Sequence, residues 1–202
     1  MNGPVDLSRL GPGFGSPDLD SQTVFRACLD AMSEPGRVLM LDGALLEAPP
    51  AGVCPAAASV MLALLDQDTT LWLGDSMRTR DIGAYLRFHT GCVIATSVGA
   101  ADFVLCAAQD AGDLSCFRQG TDAFPDRSAT IVMQCERLAN DRGWRLTGPG
   151  IRDCALLHAD GLAPDFPQQW ARNRRQFPCG VDLFLASGLS MAALPRTTRL
   201  EP

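Results

Sequence analysis

A chain of 202 residues, 47% hydrophobic and 20% charged, is long enough to bury a sizeable core and has the composition of an ordinary globular domain. Its formal charge of -6 disfavours nonspecific binding to nucleic acid, which draws on a positive surface to neutralise phosphates. All seventeen of its basic residues are arginine, so a lysine Schiff base with pyridoxal phosphate is excluded and no cofactor is expected.

In chain order, residues 1–19 read as a flexible N-terminal extension rich in glycine and proline, and residues 20–202 as a single domain. The run Gly11-Pro12-Gly13-Phe14-Gly15 is followed by Ser16 and has no strand before it, so it is not a dinucleotide-binding loop. The extension lacks the basic start and apolar run of a signal peptide, which leads to an expected cytoplasmic location. A first helix is predicted from Ser21, with Phe25, Leu29 and Met32 on its apolar face, and it stops at Ser33-Glu34-Pro35-Gly36. A strand over Arg37 to Leu41 follows the turn.

Pro55 to Asp66 predicts a second helix with Ala57, Val60, Met61, Leu64 and Leu65 inward. Its apolar run, Val60 to Leu65, is far shorter than the roughly 18 residues of a membrane span. Thr70 to Leu73 is a strand, Arg80 to His89 a helix stopped by Gly91, and Phe103 to Ala107 and Thr130 to Cys135 are apolar strands. Gly143 to Thr147 and Ile151 to Leu156 predict two strands across Gly148-Pro149-Gly150, and Pro164 to Gln176 a helix. Val181 to Ala186 and Met191 to Leu194 pair across Ser187-Gly188-Leu189-Ser190. Helices alternating with near-continuous apolar strands predict a mixed sheet of about seven strands, covered on both faces.

The eight cysteines contain no CxxC pair, and most lie in apolar runs, where a reduced thiol packs as a small hydrophobe. Two histidines, His89 and His158, leave no His-rich metal site. His89 and Arg87 share the end of a helix, where carbonyls and dipole favour a cationic or hydrogen-bonded imidazole; the alternative is a satisfied core histidine. Arg196 and Thr197, in Pro195-Arg196-Thr197-Thr198-Arg199, form a donor-rich group suited to an anion, or an ordinary solvated tail. Arg172, Arg174 and Arg175 finish a helix and offset its dipole. Cys179, beside a turn, is a packing cysteine or a nucleophile served by His158.

Five strings occur in one order: Phe25-Arg26 with Ala31-Met32-Ser33-Glu34-Pro35-Gly36, Leu86-Arg87-Phe88-His89-Thr90, Leu146-Thr147-Gly148-Pro149-Gly150-Ile151, Phe177-Pro178-Cys179-Gly180-Val181-Asp182-Leu183, and Leu194-Pro195-Arg196-Thr197-Thr198. Together they resemble the PhnH family, whose members belong to the bacterial carbon-phosphorus lyase complex of phosphonate metabolism. The glycine-rich start and Cys179, at a place the resemblance makes aliphatic, depart from it.

The resemblance implies an α/β fold, a three-layer α/β/α arrangement like the large domain of pyridoxal-phosphate-dependent transferases, without that cofactor. It implies phosphonate catabolism with the G and I subunits, which transfer an alkylphosphonate to the ribose C1' of ATP and release adenine, and with the J subunit, which later breaks the carbon-phosphorus bond. A homodimer in isolation is implied as well. Two roles remain open. One is an accessory or scaffold subunit; the other is a pocket of Glu34, Arg87, His89, Arg196 and Thr197 that binds a phosphonate or ATP and contributes to the transfer.

Overall fold

The computed structural model describes residues 10–46 and 48–201, so the first nine residues of the expected extension lie outside it. Its centre is a seven-stranded mixed sheet built from β1 (Leu39–Met40), β2 (Thr70–Leu73), β3 (Val93–Ile94), β4 (Phe103–Ala107), β7 (Thr130–Gln134), β10 (Asp182–Ser187) and β11 (Ser190–Leu194). The spatial order is β1-β11-β10-β7-β4-β2-β3. The run from β10 to β3 is parallel, and β11 is the antiparallel strand between β1 and β10.

The central strands read as unbroken apolar runs because both their faces are covered. On β4, β7 and β10, Leu105, Val132 and Phe184 face one core, and Val104, Cys106, Ile131, Met133, Leu183 and Leu185 face the other. The first core is closed by α1 (Pro17–Ser33), α2 (Pro55–Leu64) and α3 (Arg80–Thr90). The second is closed by α4 (Phe166–Arg175), through Phe166 and Trp170, and by a three-stranded antiparallel sheet, through Leu146 and Leu157. That small sheet is β8 (Leu138–Thr147) between β9 (Ala155–Ala159) and β12 (Arg199–Glu201). Of the expected α/β/α layers one is wholly helical, while in the other α4 shares the outer layer with the strands of the small sheet. A separate hairpin, β5 (Gln119–Thr121) and β6 (Phe124–Ser128), projects before β7.

Three sequence expectations shift. Helix α1 begins at Pro17, with proline in its first turn and the Ser16 amide bonded to the Asp20 carboxylate at 2.7 Å, four residues earlier than Ser21. Its buried face is Val24, Cys28 and Ala31, while Phe25 and Leu29 are 45% and 54% exposed. The smaller residues face inward where α1 packs on α2 and β11, in a core that also holds the buried Ala56, Ala57 and Ala58 of α2. The strand expected over Ile151 to Leu156 starts only at Ala155, and its partner β8 runs back to Leu138 through polar residues that hide the strand pattern.

Residues 10–16 are also tied down rather than a loose lead-in. Tyr85 donates to the Pro12 carbonyl at 3.1 Å, His89 Nε2 donates to the Gly11 carbonyl at 3.1 Å, and Phe14 bridges to Leu46. Helix α3 ends as expected, with Gly91 at φ 77°.

Candidate functional site

Arg196 follows β11, beside the start of β10, and its guanidinium is almost enclosed, with 13% of the side chain exposed. Nε bonds Asp182 at 3.1 and 3.2 Å, Nη1 bonds the carbonyls of Pro125 and Pro178 at 3.0 Å each, and Nη2 bonds Ser128 Oγ and Asp182 at 2.5 Å each. The Arg196 amide adds a 2.7 Å bond to Asp182 Oδ1. Every N–H direction of the planar fork is thus engaged. The anion expected at Arg196 is an internal one, the Asp182 carboxylate, and the side chain fastens β6, the Pro178 turn and β10 together. Thr197 lies next to it, its carbonyl accepting from Arg174 Nε at 3.4 Å.

Glu34 stands elsewhere. It lines an open hollow of about 370 Å³, pairs with Arg37 at 2.8 Å, and shares that hollow with Arg152, Cys154 and Asn140. His89 lines a different hollow, of about 640 Å³, with Phe14, Asp18 and Phe25. Arg87 is exposed on the last turn of α3. Glu34, His89 and Arg196 therefore do not converge on one cavity, and the donors of Arg196 face the chain itself.

The five strings nonetheless have a spatial logic. Four of them form one continuous clip at the junction of the two sheets. Gly150, at φ 80°, lies so close to the α1 exit that a Cβ would sit 2.1 Å from the Ser33 carbonyl oxygen. Gly148, on the same turn, abuts Thr197 and Thr198, and the Gly36 amide bonds the Ala193 carbonyl at 3.0 Å. Arg196 and Asp182 close the chain of contacts. The fifth string, Leu86 to Thr90, instead holds the segment at Gly11 to Gly13 through His89.

The nucleophile reading finds no dyad. His158 pairs with Asp160 at 2.7 Å, whereas Cys179 Sγ lies 3.7 Å from Asp122 Oδ1, and burial followed by that carboxylate pushes the Cys179 thiol up. Among the described residues no group of His, Cys, Asp or Glu is placed to hold a metal.

Burial pushes the thiols of Cys28 and Cys135 up from 9.0 to about 12, and those of Cys54, Cys92 and Cys106 upward too. Below pH 9 these thiols are neutral in both states and the stabilisation is complete. Above it the unfolded chain ionises first, and stability falls until the folded thiols titrate near 12. The urea midpoint in reductant should be level to about pH 9, and stability should then fall by about 1.4 kcal/mol per pH unit for each such thiol. Cys28→Ala should flatten that slope; an unchanged slope would contradict the burial argument.

A family model described as "Bacterial phosphonate metabolism protein (PhnH)" matches residues 12–201. The chain belongs to the PhnH family. Among its relatives, "Alpha-D-ribose 1-methylphosphonate 5-triphosphate synthase subunit PhnH" of Rhizobium meliloti (strain 1021) is 35% identical over 191 residues, covering 93% of this chain and 94% of that protein. "Putative C-P lyase subunit protein HtxG" of Stutzerimonas stutzeri is 35% identical over 183 residues, 89% of this chain and 85% of that protein. The PhnH match begins inside the Gly11 to Gly15 run, so most of the tied-down segment that packs on α3 falls within the family match and not in an appendage.

Sequence reasoning missed Arg37, Arg152, Cys154 and Asp182 as site residues. Asp182 lies inside the fourth of the five strings, where nothing local marks it as a partner for Arg196. For Arg152 the signal was its place directly after Gly148-Pro149-Gly150-Ile151, a turn that brings it into the hollow that Glu34 lines.

Proposed function

We propose that this chain is an accessory subunit of a phosphonate-processing assembly, shaping that assembly through protein contacts and carrying no catalytic centre of its own. The observation that carries the reading is the commitment of its best-placed polar groups to internal work. Arg196 has no donor direction left, His89 holds the Gly11 carbonyl, and His158 is paired with Asp160. Both relatives are named as subunits, one of a ribose 1-methylphosphonate 5-triphosphate synthase and one of a carbon-phosphorus lyase, which supports a multi-subunit setting.

In this reading the partners are the G, I and J subunits, and the assembly transfers alkylphosphonate to the ribose C1' of ATP with release of adenine. The isolated chain is a cytoplasmic homodimer on a scaffold like that of pyridoxal-phosphate-dependent transferases. It holds no cofactor, consistent with the absence of lysine. Co-expression of the tagged chain with the G, I and J subunits tests the central point. Stoichiometric co-purification under reducing conditions is expected, with no turnover by the chain alone; failure to co-purify, or turnover by the isolated chain, overturns the reading.

A further inference from the structure

The hollow beside Glu34 carries more positive charge than its own acid neutralises. Arg37 and Arg152 both line it, against the single carboxylate of Glu34. The Glu34 ion pair uses one N–H of Arg37, and Arg152 has no ion-pair or hydrogen-bond partner among the described residues. Arg145, opposite the lining residue Leu156 in the β8–β9 pairing, is paired with Glu201 at 3.1 Å.

The walls are preformed. Asn140 donates from Nδ2 to the Gly36 and Leu156 carbonyls at 2.7 Å each and accepts the Val38 amide at 2.9 Å, so its amide is a strut and not a free donor. Gly150 packs directly on the Ser33 carbonyl, which fixes the turn leading to Arg152. Guanidinium forks match tetrahedral oxyanions through paired N–H donors, and rigid walls reduce the ordering cost of binding.

We propose that this hollow is a binding site for a tetrahedral oxyanion, a phosphonate or a phosphate, held between Arg37 and Arg152. Glu34 occupies one edge of Arg37 and leaves the other edge of the fork open. The solvent-exposed setting sets the affinity near the millimolar range, roughly 1 mM. The site goes beyond the subunit reading and is independent of it, because it is a property of the isolated chain.

Cys154 lines the same hollow and reports its occupancy, while Cys116, also exposed, serves as an internal control. Iodoacetamide labelling of both thiols, followed by peptide mass spectrometry, is run with methylphosphonate, inorganic phosphate or acetate, alongside the 31P linewidth of methylphosphonate. At about ten times a millimolar Kd, methylphosphonate should slow Cys154 labelling about tenfold and leave Cys116 unchanged. The double variant Arg37→Ala, Arg152→Ala should lose both the protection and the 31P broadening. Arg152→Gln, which keeps much of the length of the side chain, gives a second measure if the double variant is poorly folded. Protection by phosphate as well identifies a general tetrahedral-oxyanion site, and protection by methylphosphonate alone identifies one that also reads the carbon substituent. Absence of both protection and broadening overturns the proposal. So does equal protection by acetate, equal slowing at Cys116, or protection that survives loss of the arginines.

Discussion

Arg196→Ala should lower the unfolding free energy by about 3–5 kcal/mol, since removing one partner of an enclosed ion pair leaves the other charge without compensation. Asp182, 25% exposed in the paired state, would keep only its bond from the residue 196 amide, and the carbonyls of Pro125 and Pro178 and the Ser128 hydroxyl would lose their shared donor. In a chain of this size each kcal/mol moves the melting temperature by roughly 2–4 °C, so a drop on the order of 10 °C is expected. Arg196→Lys should recover little of it, because an ammonium carries three donors on a point charge where the site presents acceptors in a plane. Denaturant unfolding decides the matter: a loss under about 1 kcal/mol would assign Arg196 to solvent rather than to the clip. The β5–β6 hairpin should become the first region cut by protease in the variant, because Arg196 binds it at both Pro125 and Ser128.

Gly150→Ala carries the second large effect, about 2–5 kcal/mol. A residue with a Cβ in the left-handed region costs roughly 1–2 kcal/mol by itself. Here the new Cβ also meets the Ser33 carbonyl oxygen at 2.1 Å and the Pro35 ring at 2.9 Å, and backbone cannot rotate away as a flexible side chain does. The turn must therefore shift, carrying Arg152 with it, at a further cost of about 1–3 kcal/mol typical of overpacking. Gly112→Ala is the matched control: it has φ 61° and nothing within 4 Å of its Cβ, so it should show the conformational part alone. Similar losses in the two variants, measured by thermal unfolding, would show that the contact with Ser33 yields easily.

Much of the fold was legible because its signals are local. Proline opens α2 and glycine closes α3, the central strands are apolar runs, and the Gly188-Leu189 turn joins β10 to β11 with Ser187 opposite Ser190. The buried face of α1 was not legible, since Val24, Cys28, Ala31 and Phe25, Leu29, Met32 have the same spacing. Only the packing of α1 on α2 and β11 selects the smaller set. The outer sheet was partly hidden because the first half of β8 is largely exposed and polar, so it has no apolar alternation to read.

The candidate site divides the same way. Residue identity and order were enough to exclude a lysine-bound cofactor, to carry the PhnH resemblance in five ordered strings, and to make arginine the residue type expected at an anion. Which arginines are available was decided by tertiary structure alone. Arg196 is closed because a carboxylate, a hydroxyl and two carbonyls from distant segments converge on its fork, whereas Arg152 emerges from a glycine turn into an open hollow beside Arg37. An arginine's identity is local, but whether its donors are free depends on which acceptors the folded chain brings within hydrogen-bond reach.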